Sequence, residues 1–181
     1  MKKNWSRQVI FVSLATLMAL SSASAESSVQ PAMSVVEDTL SNGLRVIVKP
    51  DHRSPVAAVM VWYRAGSIDE LGGRTGVAHV LEHMMFQGTK TLAPGEHAKM
   101  IAETGGRSNA FTSADYTGYL QELHSSELEL AIKLEADRMH NLLLREVEFN
   151  NEMRVVMEER RQRVDDNPRG LLMEQLAATM Y

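Results

Sequence analysis

The 181-residue chain has no cysteine. That excludes a disulfide framework, a thiolate metal site and a cysteine nucleophile. Any metal here must be held by His, Asp or Glu. Neither sign of charge dominates: Lys and Arg total 19, Asp and Glu total 23, and the net charge is −4. Nothing is basic enough to suggest nucleic acid as a partner. No apolar run approaches the ~20 residues of a membrane-spanning helix. There is no internal repeat and no low-complexity segment. What remains is 44% hydrophobic and 23% charged. That is the balance of an ordinary folded protein, at a length that suits one domain.

The first 25 residues read as a secretory signal peptide. Lys2, Lys3 and Arg7 form a positive start, Val9 to Leu20 a short apolar run, and Ser21-Ser22-Ala23-Ser24-Ala25 a small-residue cleavage pattern. The expected mature protein is exported, to a bacterial periplasm, and keeps no stable membrane anchor after cleavage. Residues 26–38 read as a polar leader, and the domain is expected over 39–181.

Asn42-Gly43 signals a hairpin turn, with a strand before it and Leu44 to Val48 after it. Val56 to Ala65 reads as a mostly buried strand. Thr75 to Gln87 reads as a helix closed by Gly88, and Pro94 to Glu103 as a second helix. Arg107 to Leu123 reads as one long strand, bulged near Asp115. Ser126 and Glu129 suggest a capping box opening a helix to about Leu143. Two more helices follow, from Glu146 to about Val164 and from near Pro168. The sequence reads as cut inside that last helix. The expected fold is α+β, a mixed, mostly antiparallel sheet of three or four strands packed by helices.

The chemistry is concentrated on two of these helices. His79-Val80-Leu81-Glu82-His83 sets two imidazoles four residues apart, on one helix face. Zinc accepts imidazole nitrogens at about 2.0–2.1 Å, and a catalytic zinc site takes one more protein ligand. Glu82 shares the face through His79 and can take a proton from a water whose pKa the metal lowers. On the later helix Glu152 and Glu159 are seven residues apart, close to two turns, on a face that also carries Val155 and Val156. Carboxylates on a half-apolar stripe need a partner such as a cation or a metal. Taken without the histidines, the plainer account is a charged helix whose Arg160, Arg161 and Arg163 supply the pairs. His52, His97, His124 and His140 lack partners at ligand spacing. Met84, Met85, Met153 and Met157 read as core, and Phe111 reads equally as core or substrate contact.

These residues resemble peptidase family M16, the pitrilysin, insulinase and mitochondrial-processing-peptidase group. The match runs through Asn42-Gly43-Leu44, Gly76 to Thr89, Gly105 to Thr112 and the Glu152…Glu159 helix. The resemblance implies a zinc metalloendopeptidase acting on extended or unfolded peptides, with one Zn2+ per chain. It implies that His79, His83 and Glu159 are metal ligands, Glu82 is the general base, and Glu152 supports the site. It also implies that Asn109, Ala110, Phe111 and Thr112 lie on an edge strand where a peptide substrate adds as a further strand. Family members resemble two similar domains closing around the substrate. Residues 39–181 then correspond to part of an N-terminal domain, and a second M16-type domain or subunit is the expected partner. The alternative is a non-catalytic subunit or inactive fragment that needs that second domain.

Overall fold

The computed structural model describes residues 34–180. The signal-peptide reading and most of the leader fall outside the described residues. Two units are distinguished, one ending at Pro50 and one beginning at Asp51.

Within the first unit, β1 (Val36–Thr39) and β2 (Arg45–Val48) form an antiparallel hairpin with Val36 opposite Val48. The turn closes through Gly43 N–H to Leu40 O at 2.8 Å, and the Asn42 side chain accepts from Leu44 N–H. Gly43 has φ +87°, a backbone state that a Cβ disfavours. β1 takes in residues 36–38, which the sequence suggested were leader. Hairpin register, set by the turn, extends pairing to Val36 whatever the polarity of Glu37 and Asp38.

In the second unit, β3 (Val56–Tyr63), β4 (Arg107–Thr112) and β5 (Thr117–His124) form an antiparallel sheet in the order β3-β5-β4. The helices are α1 (Val77–Met84), α2 (Glu96–Glu103), α3 (Leu128–Asn141), α4 (Glu146–Arg160) and α5 (Pro168–Met180). α3 packs on β3 and β5, α1 and α2 lie along β4, and α4 packs on α1. Ile101, Leu123, Ala131 and Leu134 make the buried core, with Val59, Leu92, Met100 and Leu130 around it. Together the elements make an α+β fold, and every described strand pair is antiparallel.

Several local expectations change. β3 is half-buried, not mostly buried: Val56, Met60 and Trp62 face outward and alternate with inward residues. Among the described residues one side of β3 stays exposed, so an apolar run there does not mean two-sided burial. The predicted long strand is two strands. Ser113-Ala114-Asp115-Tyr116 reverses the chain, Ser113 N–H donating to Tyr116 O at 2.8 Å, while Ser113 O and Ala114 O accept from Ser67 and Ile68. The capping box is absent. Ser126 N–H turns to His124 Nδ1, a single 3₁₀ turn spans Ser125–Glu127, and Glu129 pairs with Lys133 instead. Met84 and Met85 are buried, but Met157 is exposed.

Candidate metal centre

α1 begins where its orphan amides meet a carboxylate. Glu70 accepts from Gly76 N–H at 2.7 Å and from Ala78 N–H at 2.8 Å, placing negative charge at the positive helix end. The helix then carries His79 and His83 towards α4, and the two imidazole centroids lie 4.9 Å apart. The helix proper ends at Met84. Tight-turn bonds from Phe86 and Gln87 continue the winding to Gly88, at φ +98°. A Cβ on Gly88 would stand 2.8 Å from Leu92 O, so the chain must be glycine there to turn away.

α4 packs on α1 and brings Glu159 to the histidines. His79 Nε2 lies 3.5 Å from Glu159 Oε2, and His83 Nε2 lies 3.8 Å from Glu159 Oε1. One ligand atom from each of His79, His83 and Glu159 falls within 4.8 Å of the others. Ligands at about 2.1 Å in a tetrahedron stand roughly 3.4 Å apart. The donor set suits zinc, and the two His–Glu159 separations are close to that spacing, within a set spread over 4.8 Å. Glu159 Oε2 is shut off from solvent and makes no hydrogen bond among the described residues; Arg163 Nη1 stands 3.1 Å away in an ion pair. The arginine reading is thus partly realised. Arg163 reaches Glu159, but Arg160 goes to Glu174 and Arg161 to Glu158.

Glu152 faces the other side of His83. Its Oε2 lies 2.9 Å from His83 Nδ1, and its Oε1 accepts from Gln87 Nε2 at 2.8 Å. A carboxylate only accepts, so His83 donates from Nδ1 to Glu152, and Nε2 is the ring nitrogen on the side of Glu159. Carboxylate-to-histidine hydrogen bonds of this kind fix a metal ligand's tautomer. Glu82 is held from the sheet. Thr112 Oγ1 donates to its Oε2 at 2.5 Å, with Thr117 Oγ1 3.5 Å from Thr112 and donating in turn to Ala65 O at 2.9 Å.

β4 is an edge strand of its sheet, and beside it runs a groove of about 280 Å³. Glu82, His83, Phe86, Gln87, Asn109 and Glu152 are among its lining residues. Ser108, Ala110 and Thr112 alternate towards the helices, and Asn109 and Phe111 towards the other face. Of the four residues expected to meet substrate, Asn109 and Ala110 line the groove and Thr112 touches Glu82. Phe111 instead packs edge-on against Trp62 and Tyr116 on the open sheet face.

Beneath the groove lies an unforeseen buried network. Arg138 and Glu135 form a two-point ion pair, with Arg138 Nε 2.8 Å from Glu135 Oε2. Gln121 also donates to Glu135, and the Arg138 guanidinium sits 4.1 Å from the Tyr119 ring centroid and 5.4 Å from that of Phe86, a wall of the groove. An i,i+3 Glu–Arg spacing looks like a solvated pair in sequence, so only burial distinguishes this one. His97, expected to bind no metal, is buried beside Gln121; burial and the nearby Arg138 charge push it down to about 4. Glu70 lies outside every matched segment, and Gln87, though inside the matched run from Gly76 to Thr89, was given no role there.

Fold and site together define an α+β domain with two histidines and two carboxylates on paired helices. Residues 45–181 match the model of the Insulinase family, peptidase family M16, and the chain belongs to that family. It is 42% identical over 144 residues to zinc protease PqqE of Helicobacter pylori, covering 79% of this chain and 32% of that protein. Among solved structures, a protease from Helicobacter pylori matches with TM-score 0.75 and 42% identity, over 78% of this chain and 34% of the other. The first half of the periplasmic protease PqqL from Escherichia coli matches with TM-score 0.66 and 29% identity, over 71% and 29% of the two chains. The chain therefore spans about a third of the length of these relatives.

Proposed function

We propose that this chain carries the zinc-binding and proton-transfer part of a metalloendopeptidase acting on extended or unfolded peptides. The observation that carries the reading is the convergence of His79, His83 and Glu159, with Glu82 beside them on the groove. In this reading His79 Nε2, His83 Nε2 and a Glu159 oxygen hold one zinc. When bound, zinc supplies Lewis-acid polarisation and a lowered water pKa. Glu82 takes the proton from the attacking water and returns it to the leaving amine. Oε1 is the oxygen free to do so, since Thr112 engages Oε2. Glu152 orients His83. The edge of β4 over Asn109–Thr112 accepts a peptide as an added strand, with main-chain hydrogen bonds that demand little of its sequence.

Residues 39–181 are read as part of an N-terminal M16 domain, behind a signal peptide over 1–25 and a leader over 26–38. The relatives are about three times as long as the matched region. That supports a second M16-type domain or subunit as the group that completes the substrate chamber. It equally supports the second reading, a piece that binds metal and is inactive without that domain. Export to the periplasm is supported by the apolar start of the sequence and by likeness to a periplasmic protease. Among the described residues, no helix is long and apolar enough to cross a membrane.

The test is zinc stoichiometry of the purified full chain beside Glu159→Gln. One zinc per chain, weakened in the variant, is the expected result. No zinc bound by a folded wild-type chain rejects the reading.

A further inference from the structure

We propose that Gln87 is a positioning residue for the candidate metal centre, holding one oxygen of Glu152 so that the other stays on His83 Nδ1. The inference rests on the zinc reading above. His83 and Gln87 are four residues apart, and their side chains grip the two oxygens of the same carboxylate, at 2.9 and 2.8 Å. Among the described residues, no other group hydrogen-bonds to Glu152. The terminal torsion of a glutamate is broad and roughly two-fold. With one donor, its carboxylate can swing or exchange oxygens; with two donors fixed on one chain segment, both oxygens are assigned.

The backbone prepares this grip. Gln87 lies past the end of α1, where continued helical winding would be lost without support. Phe86 N–H to His83 O and Gln87 N–H to Met84 O, both 3.0 Å, keep the segment wound until Gly88 turns it away. The Gln87 amide is thereby returned to the side of His83. The brace has a second effect. Glu152 stands about two turns before Glu159 on α4, so pinning it to α1 also sets the height at which Glu159 meets His79 and His83. Gln87 also borders the groove. A role in substrate contact alone would leave metal binding untouched, and this separates the two possibilities.

The experiment measures zinc affinity of the full chain by competition with a chromophoric chelator. It also reads the His83 tautomer in metal-free protein from imidazole nitrogen NMR shifts. Gln87→Leu keeps the bulk and removes the donor. It is expected to weaken zinc about tenfold, the lower end for losing an outer-shell partner, and to mix the two His83 tautomers. Gln87→Lys supplies a donor of similar reach and is expected to stay close to wild type in both readouts. Wild-type affinity and a single tautomer in Gln87→Leu overturn the proposal. Equal losses in the leucine and lysine variants also overturn it, because packing and not the donor would then be responsible. If Gln87→Leu does not fold, Gln87→Glu, which faces Glu152 with an acceptor, takes its place in the comparison. Absence of zinc binding in wild type would reject the zinc reading itself; the tautomer comparison would still decide whether Gln87 orients His83 through Glu152.

Discussion

The Thr112 hydroxyl donates to Glu82 Oε2 across the gap between β4 and α1. The bond ties the proposed base to the strand proposed to carry substrate, and leaves Oε1 unengaged by Thr112 on a residue that lines the groove. Thr112→Val keeps the shape and removes the donor. Turnover by the completed enzyme is expected to fall on the order of tenfold, the equivalent of one hydrogen bond to a charged group. KM and zinc content should hold, and Thr112→Ser should restore the rate. An unchanged kcat in the valine variant would remove Thr112 from the account.

Glu82→Gln should leave zinc binding intact and abolish peptide cleavage, because a carboxamide cannot accept the proton. The comparison needs the enzyme completed by its second domain, with zinc content measured on the same sample. Full turnover in this variant would sink the assignment of the base.

Metal removal should lower stability. A ligand that binds only the folded chain adds about 2.7 kcal/mol at a hundred times its dissociation constant. A thermal melt in chelator is therefore expected several degrees below one in excess zinc. Glu159→Gln should shrink that difference, and an unshifted melting temperature in wild type would contradict the site.

Glu135→Leu strands the Arg138 charge in the interior. The cost expected is about 3–5 kcal/mol in urea unfolding, the range for breaking a buried pair from one side. Replacing both residues with leucine should recover a large part of it. A loss below about 1 kcal/mol, typical of exposed pairs, would mean that water reaches the pair.

Burial holds His97 down at about 4, against about 6.5 for an unfolded histidine. Between those values the unfolded chain binds a proton that the folded chain does not. Stability therefore falls as pH drops from 6.5 towards 4, by about 3 kcal/mol in all, and this group adds no slope above 6.5. His97→Gln should flatten that part of the pH profile of unfolding free energy. Identical slopes for the two proteins would show that His97 titrates normally.

Much of the fold could be read from local pattern. Asn42-Gly43 marked a hairpin because few residues tolerate its turn, and the spacing of His79, Glu82 and His83 set them on one helical side. Local pattern failed where a neighbour decided the outcome. Ser126 had an N-cap partner in Glu129, but His124 Nδ1 took its amide. The segment from Arg107 to Leu123 had strand propensity throughout, but loop 66–68 captured the carbonyls of Ser113 and Ala114 and folded it in two.

By itself the sequence determined which residue types could form a metal centre, and, through helical periodicity, which of them share a side. It also held the family resemblance, since that lies in residue order. Only the tertiary structure decided that Glu159 stands within 4 Å of both histidines, that Glu152 turns to Nδ1 of His83, and that Gln87 and Thr112 hold the two carboxylates beside the centre. The reason is physical. Periodicity fixes angles around one helix axis, whereas the distance between α1 and α4 depends on side chains packed between elements far apart in the chain.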